Sequence, residues 1–299
     1  MRSSEHPPGM NPMTDVCVAY LVREKNGLDP FLRFLESYIE NRGGMEHDLL
    51  IIYKGFGARI STADYEKSLV DIPHKTILVR DNGFDIIPYF IAAKTYAYRY
   101  FCFLNSFSLL LDADWLLKMH RCISRSGVGL VGATGSYQSV YYDYLYYLKH
   151  LGKSGERIPI HSRLAYSLRF EKLRLKILNH FYPSFPNVHL RTNGYMIPRD
   201  VMLKIRFGRI RFKSDAYRFE SGRQSLTRQV MGMDYRVLVV GKDGIGYEKE
   251  DWCRSKTFWQ DDQQNLLIAD NQTRQYSEGD AETRKRLSRF AWGESPGET

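Results

Sequence analysis

The residues able to do chemistry sit in a few short stretches. In YKGFG, Lys54 could meet a phosphate, or it could be a solvated turn lysine. In DNGFD, Asp81 and Asp85 can accept hydrogen bonds from a base or a ribose. Gly83 permits the turn and a close backbone approach, although plain turn chemistry uses the same residues. After the apolar FCFLN, Asn105 and Ser108 can hydrogen-bond a hydroxyl, with Ser106 beside them, whereas Phe107 cannot coordinate a metal. Arg191, Thr192 and Asn193 end a probable strand, and buried polar groups there must be site residues or a hydrogen-bonded knot. Residues 270–274 (DNQTR) read the same way. Asp215 and Glu220 are carboxylates that can act on a hydroxyl proton; an acidic residue also suits a helix start or a loop. Arg223 and Arg228 do not share a helix face well, so one could reach a phosphate while the other pairs on the surface. Trp259 could stack on a sugar ring or serve as a core or lid residue. His161, His180 and His189 have no metal-ligand spacing.

These residues need a scaffold. Short apolar runs (VCVAYLV, DLLIIY, KTILVR, FCFLN and VGLVGATGS) alternate with helical patterns over residues 29–41, 62–68, 88–100 and 113–124. That alternation predicts a doubly wound, mostly parallel α/β sheet, whose ligands sit at the carboxyl ends of the strands. Those ends carry Arg23, Lys54, residues 80–85 and residues 105–108. Asp112 or Ala113 is expected to cap the helix that follows. FESGRQSLTRQVMG reads as one helix opened by Glu220, leading to the strand YRVLVVG. The expected division is a polar N-terminus (1–14), a nucleotide-binding half (15–136), a basic Tyr-rich helical insert (137–186), a second half with a C-terminal extension (187–292), and a polar tail (293–299).

The chain has 299 residues, a formal net charge of +9 and 43% hydrophobic residues. That supports a real core and an acidic partner such as a nucleotide, an anionic membrane surface or nucleic acid. Nucleic acid is the weakest of these, since no module signature of that class is present. Cys17, Cys102, Cys122 and Cys253 read as reduced core thiols. With no signal-peptide pattern and no long apolar run, the expected location is cytoplasmic, at most peripheral on a membrane. The insert's stretch AYSLRFEKLRLKILNHF mixes Leu and aromatic residues with Arg169, Lys172, Arg174 and Lys176, which suits a helix lying on such a surface.

The order of pieces resembles the GT-A nucleotide-sugar-dependent glycosyltransferases, in particular the family-2-like bacterial surface-polysaccharide group. VCVAYLVREKNG resembles that family's first strand and nucleotide loop, and RDNGFDIIPYFIAAKTYAYRYFCFLNS the segment leading to its metal-binding DxD. RTNGYMIPRDVM and FESGRQSLTRQVMGMDYRVLVVG resemble its acceptor-side strand and the unit holding its catalytic acid residue. The resemblance implies a sugar transferred from a nucleotide-diphosphate donor to a glycan or lipid-linked acceptor, with inversion. It places Glu220 as the base and Asp215 as the reserve. Lys54, Asp81, Gly83, Asp85, Asn105, Ser106 and Ser108 are read as the donor side, and Arg191, Asn193, Arg223 and Arg228 toward the acceptor or phosphates; Trp259, beyond the resemblance (Val16 to Val240), joins the latter from its ring chemistry alone. The departure is the DxD itself, aligned on Asn105 and Phe107. It implies no metal cofactor, with Lys, Arg or backbone N–H groups neutralising the leaving diphosphate. The alternative is a non-catalytic scaffold on the same fold, partnering an active transferase.

Overall fold

In the computed structural model, the structure describes residues 14–57, 61–150 and 168–293. Nearly all of the expected N-terminal segment and tail, and the middle of the insert, lie outside them. The strands are β1 (Val16–Arg23), β2 (Asp48–Lys54), β3 (His74–Val79), β4 (Tyr100–Leu104), β5 (Leu109–Leu110) and β6 (Val128–Gly132), followed by β7 (Gly135–Ser136), β8 (His189–Leu190), β9 (Gly194–Pro198), β10 (Arg236–Val240), β11 (Gly246–Tyr247) and β12 (Ile268–Ala269). Helices α1 (Asp29–Glu40), α2 (Ala63–Lys67), α3 (Ile86–Thr95), α4 (Trp115–Ile123), α5 (Val140–His150) and α6 (Leu168–Phe181) intervene. They are followed by α7 (Arg199–Lys204), α8 (Lys213–Ser221), α9 (Leu226–Met231), α10 (Asn271–Ser277) and α11 (Ala281–Trp292).

The central sheet has the order β11-β10-β6-β9-β4-β1-β2-β3. β1 pairs in parallel with β2 and β4, β2 with β3, and β6 with β10, so the expected mostly parallel α/β sheet is present. The inner strands β1 and β4 read as unbroken apolar runs because both faces are buried. Along β1, Val16, Val18, Tyr20 and Val22 pack on one face with Phe31 and Phe34 of α1 and Trp115 of α4. Cys17, Ala19 and Leu21 pack on the other with Tyr89 of α3 and Val201 of α7. This is the two-residue period of a strand with a core on each side. Each fully buried large side chain contributes about 1.5–3 kcal/mol.

One strand runs against the rest. β9 is antiparallel to both β4 and β6. Its entry, residues 191–193, therefore lies beside the carboxyl ends of β4 and β6. The C-terminal extension returns to the same edge, where β12 pairs with β5, the short strand just past β4.

Several local expectations are corrected. The helix expected at 88–100 is α3, which starts at Ile86 and stops at Thr95, and Tyr100 already belongs to β4. Asp114, not Asp112 or Ala113, stands at the N-cap of α4, in left-handed backbone (φ 58°), while Asp112 pairs with Lys118. Cys253 is exposed and is not a core thiol; the other three are buried. The single helix expected from residue 219 is two, because Gly222 ends α8 and Ser225 opens α9, accepting from the Arg228 N–H.

Candidate active site

Two charged clusters lie at the carboxyl edge of the sheet. The first surrounds Asp81, just past β3. Its carboxylate accepts from Arg23 Nε at 3.1 Å, meets Lys25 Nζ at 2.9 Å and faces Lys54 Nζ at 3.5 Å. Desolvation would raise its carboxyl, but the Arg23 and Lys25 hydrogen bonds outweigh it and hold the group far below the usual range. Lys54 is only 2% exposed, and its ammonium donates to the Phe84 carbonyl. Burial lowers its pKa against the pull of Asp81. The reading of Lys54 as a solvated turn lysine is thereby corrected: this ammonium is enclosed and anchors the 81–85 loop. Arg23 and Lys25 are the cations with open faces, their side chains being 37% and 65% exposed. Gly83 has φ 62°, and a Cβ there would fall 2.0 Å from Ile87, so only glycine fits this turn.

The second cluster is built on residues 191–193. Arg191 Nη2 donates to Asp270 at 2.7 Å, and its guanidinium lies 4.3 Å from the Phe258 ring. Both partners of this pair are buried. Asp270 also caps α10, accepting from the N–H groups of Gln272 and Thr273. Asn193 accepts from the Thr134 hydroxyl at 2.7 Å, and its buried Nδ2 has no hydrogen-bond partner among the described residues.

Glu220 joins this cluster from α8, accepting from the Thr192 N–H at 3.2 Å. Burial pushes its carboxyl up, Asp85 and Asp270 add to the rise, and Arg191 opposes it. Asp85, raised mainly by burial and drawn down by Lys54, thus lies electrostatically between the two clusters. Glu220 stands in the last turn of α8, not at a helix start as expected. A helix C-terminus disfavours a carboxylate, so helix electrostatics do not account for this position. Beside Glu220 opens a cavity of about 370 Å³, lined by Gln138, Tyr217, Trp259, Gln272 and Gln275 among others. Trp259 stacks on Phe258 with 4.3 Å between centroids, and its Nε1 donates to the Gln272 carbonyl.

At the end of β4 the polar turn is internally satisfied. Asn105 Oδ1 accepts from the Phe107 N–H at 2.9 Å and from Ser108 Oγ, which also donates to the Asn193 carbonyl at 2.7 Å. The Ser106 carbonyl accepts from the Tyr20 hydroxyl at 2.8 Å. Asn105 and Ser108 thus join β4 to the entry of β9. Phe107 walls a smaller cavity of about 240 Å³ with Asn26, Asp29, Arg33 and Arg274. Among the described residues no group of three His, Cys, Asp or Glu side chains is arranged to hold a metal ion. At the turn after β4, Asn105 Oδ1 and Ser108 Oγ are already engaged in hydrogen bonds, and the turn itself carries no carboxylate.

Three expected site residues lie elsewhere. Asp215 sits at the opposite end of α8 from Glu220, accepting from the N–H groups of Arg211 and Phe212. Arg223 donates to the Asn179 carbonyl at 2.9 Å. Arg228 donates to Asn187. Asp270 was visible only as part of a polar run, and Thr134 gave no signal at all.

No protein-family model matches this sequence, and no curated protein does. Solved structures are similar at low identity. A mannosyltransferase from Pyrobaculum calidifontis in complex with GDP-Man and Mn2+ is 11% identical over 84% of this chain and 61% of its own, with a TM-score of 0.46. S. aureus TarS (residues 1–349) is 12% identical over 76% and 58%, at 0.43. Glucosyl-3-phosphoglycerate synthase from Mycobacterium tuberculosis, with Mn2+, UDP and phosphoglyceric acid, is 12% identical over 72% and 61%, at 0.36. The chain therefore spans about six-tenths of the length of each. The expectation of a metal-free cofactor requirement is overturned here: two of these three structures hold Mn2+. It is withdrawn.

Proposed function

We propose that this chain is a glycosyltransferase that moves a sugar from a nucleotide-diphosphate donor to the hydroxyl of a glycan or lipid-linked glycan. The similar solved structures include a mannosyltransferase with GDP-Man and a synthase with UDP. The observation that carries the reading is Glu220, a carboxylate of raised proton affinity, next to a cavity whose lining is otherwise uncharged apart from Arg191 and His189. Arg191 is already paired with Asp270, and His189 is lowered to about 4, chiefly by burial. Such a lining suits neutral hydroxyl-bearing groups, with Trp259 as an apolar wall.

In this reading the acceptor hydroxyl gives its proton to Glu220. Its oxygen bonds to the anomeric carbon, and the bond from that carbon to the diphosphate breaks, leaving its electron pair on the nucleoside diphosphate. One displacement from one face inverts the anomeric centre. Arg23 and Lys25 are the cations offered to the growing negative charge. Asp85, Gly83 and the Asn105–Ser108 turn form the donor-side floor.

The test is Glu220→Gln, which keeps the shape and removes the proton acceptor. Transfer should fall about 10²–10⁴-fold, with nucleotide affinity retained. A second readout is stability. The folded chain holds this proton more tightly than the unfolded chain, so its contribution is full at low pH and is lost as pH rises through the raised value. Glu220→Gln should therefore melt higher than wild type at pH 8 and nearly equally near pH 4. Transfer at the wild-type rate would remove Glu220 as the base.

A further inference from the structure

Helix α8 separates two cavities. Tyr217, Glu220 and Ser221 face the one just described. Asp215, Arg218, Phe219 and Gly222, offset by the same helical spacing, face a second one of about 410 Å³. We propose that this second cavity is a binding site for the phosphate headgroup of an anionic lipid. The inference does not depend on the transferase reading.

Its rim is cationic, formed by Arg206 and Arg209 from the loop before α8 with Arg218 and Arg223, and the end of α6 borders it at His180. The single carboxylate, Asp215, is occupied: it accepts two backbone N–H groups at 2.9 and 3.0 Å and pairs with Arg218 at 3.6 Å. Arg218 also lies 3.7 Å from the Phe181 ring centre, and Arg223 is held by Asn179. Arg206 and Arg209 are exposed and make no ion pair among the described residues. The structure thus fixes two guanidinium groups beside two others left open to a ligand. Arginine forks match phosphate oxygens well.

The floor and surroundings are apolar. Phe181, Phe207 and Phe219 line the cavity, and Phe207 packs edge-on against Phe219. Phe212, at the N-cap of α8, is 69% exposed, and on α6 Leu173 and Ile177 are 54% and 46% exposed. Lys172, Arg174 and Lys176 interleave with those two. A soluble phosphate needs the cations but gives no reason for the open Phe207 in the lining or for the leucine and isoleucine exposed along the helix that ends there. A lipid uses both, with its phosphate on the arginines and its upper hydrocarbon on the exposed apolar side chains.

The test is co-sedimentation with vesicles of phosphatidylcholine alone or mixed with phosphatidylglycerol. The protein should pellet with the mixed vesicles and not with the neutral ones. Arg206→Glu/Arg209→Glu should weaken that partition by about tenfold or more. Lys67→Glu/Arg121→Glu changes net charge equally on other surfaces and should retain binding. Inorganic phosphate should displace the protein no better than chloride of the same ionic strength. Pelleting equally with both vesicle types, or with neither, overturns the proposal. So does equal loss in the two double variants, which would make the attraction one of net charge alone. Displacement by phosphate specifically would make this a site for the free anion and would also overturn it.

Discussion

The two charged clusters at the sheet edge use the same residue types in opposite proportion. Around Asp81, one carboxylate is shared by Arg23, Lys25 and Lys54. Around Arg191, one guanidinium is shared by Asp270, at 2.7 Å, and Glu220, whose carboxyl it draws down. The first cluster is cation-rich and opens to solvent through Lys25. The second is carboxylate-rich and enclosed. A cation-rich cluster can accept further negative charge with little rearrangement. In the second, burial raises the proton affinity of Glu220 against the pull of Arg191, with Asp85 and Asp270 adding to the rise. In the proposed reading, the difference separates a place for phosphates from a place for a proton, with Asp85 coupled to both clusters.

The largest effect should come from breaking the enclosed cluster. Arg191→Met leaves Asp270 charged, buried and without its partner, which typically costs about 3–5 kcal/mol. Asp270→Ser removes the charge but keeps a cap acceptor for α10. The double variant Arg191→Met/Asp270→Ser should therefore regain most of the lost stability in urea unfolding. A single-variant loss below about 1 kcal/mol, a value typical of surface pairs, would show that this cluster is no more demanding than the open one.

Next in size is the open cluster. Arg23→Gln/Lys25→Gln should weaken nucleoside-diphosphate binding by about tenfold or more, since hydrogen bonds to charged groups contribute about 1.5–3 kcal/mol each. The wild-type advantage should shrink as salt is added, and the melting temperature should change little. Titration calorimetry at two ionic strengths reads both. Unchanged affinity would move the phosphates away from Asp81 and undo the contrast between the clusters.

Much of the scaffold could be read from the sequence, because the strands announce themselves. A strand buried on both faces must be apolar along its buried positions, and VCVAYLV and the LLIIY of DLLIIY are. The position of Glu220 was legible too, but its setting was not. Gly222, in extended backbone at the C-cap, ends α8 one turn before the expected helix could grow. Lys54 looks like a surface lysine in YKGFG; only the three-dimensional path of the 81–85 loop buries it. The Arg191–Asp270 pair spans 79 positions. It exists because β9 runs antiparallel and β12 returns to β5, and neither pairing leaves a local pattern. Asn105 and Ser108 look like ligand groups from composition, and their bonds to Phe107 and Asn193, which join β4 to the entry of β9, left no sign in the sequence.

The smallest effect sharpens the comparison along a single helix. Asp215 and Glu220 are both carboxylates on α8, one in its first turn and one in its last. Asp215 is held below its ordinary value by the N–H groups of Phe212 and Arg211, which suits an anion at a helix start. A carboxylate so stabilised is a weak proton acceptor. Because its folded pKa is depressed, its contribution to stability is present above the unfolded value and is lost as pH falls through that region. Asp215→Ala should therefore cost about 1 kcal/mol near pH 7, as loss of a helix-start acceptor does, and the gap to wild type should close in acid. The rate of sugar transfer should stay within about twofold of wild type, against the loss of orders of magnitude expected for Glu220→Gln. If Asp215→Ala instead abolished transfer while its melting temperature held, the proton acceptor would be at the other end of the helix. The cavity behind α8, not the one at the sheet edge, would then be the place to look for the acceptor.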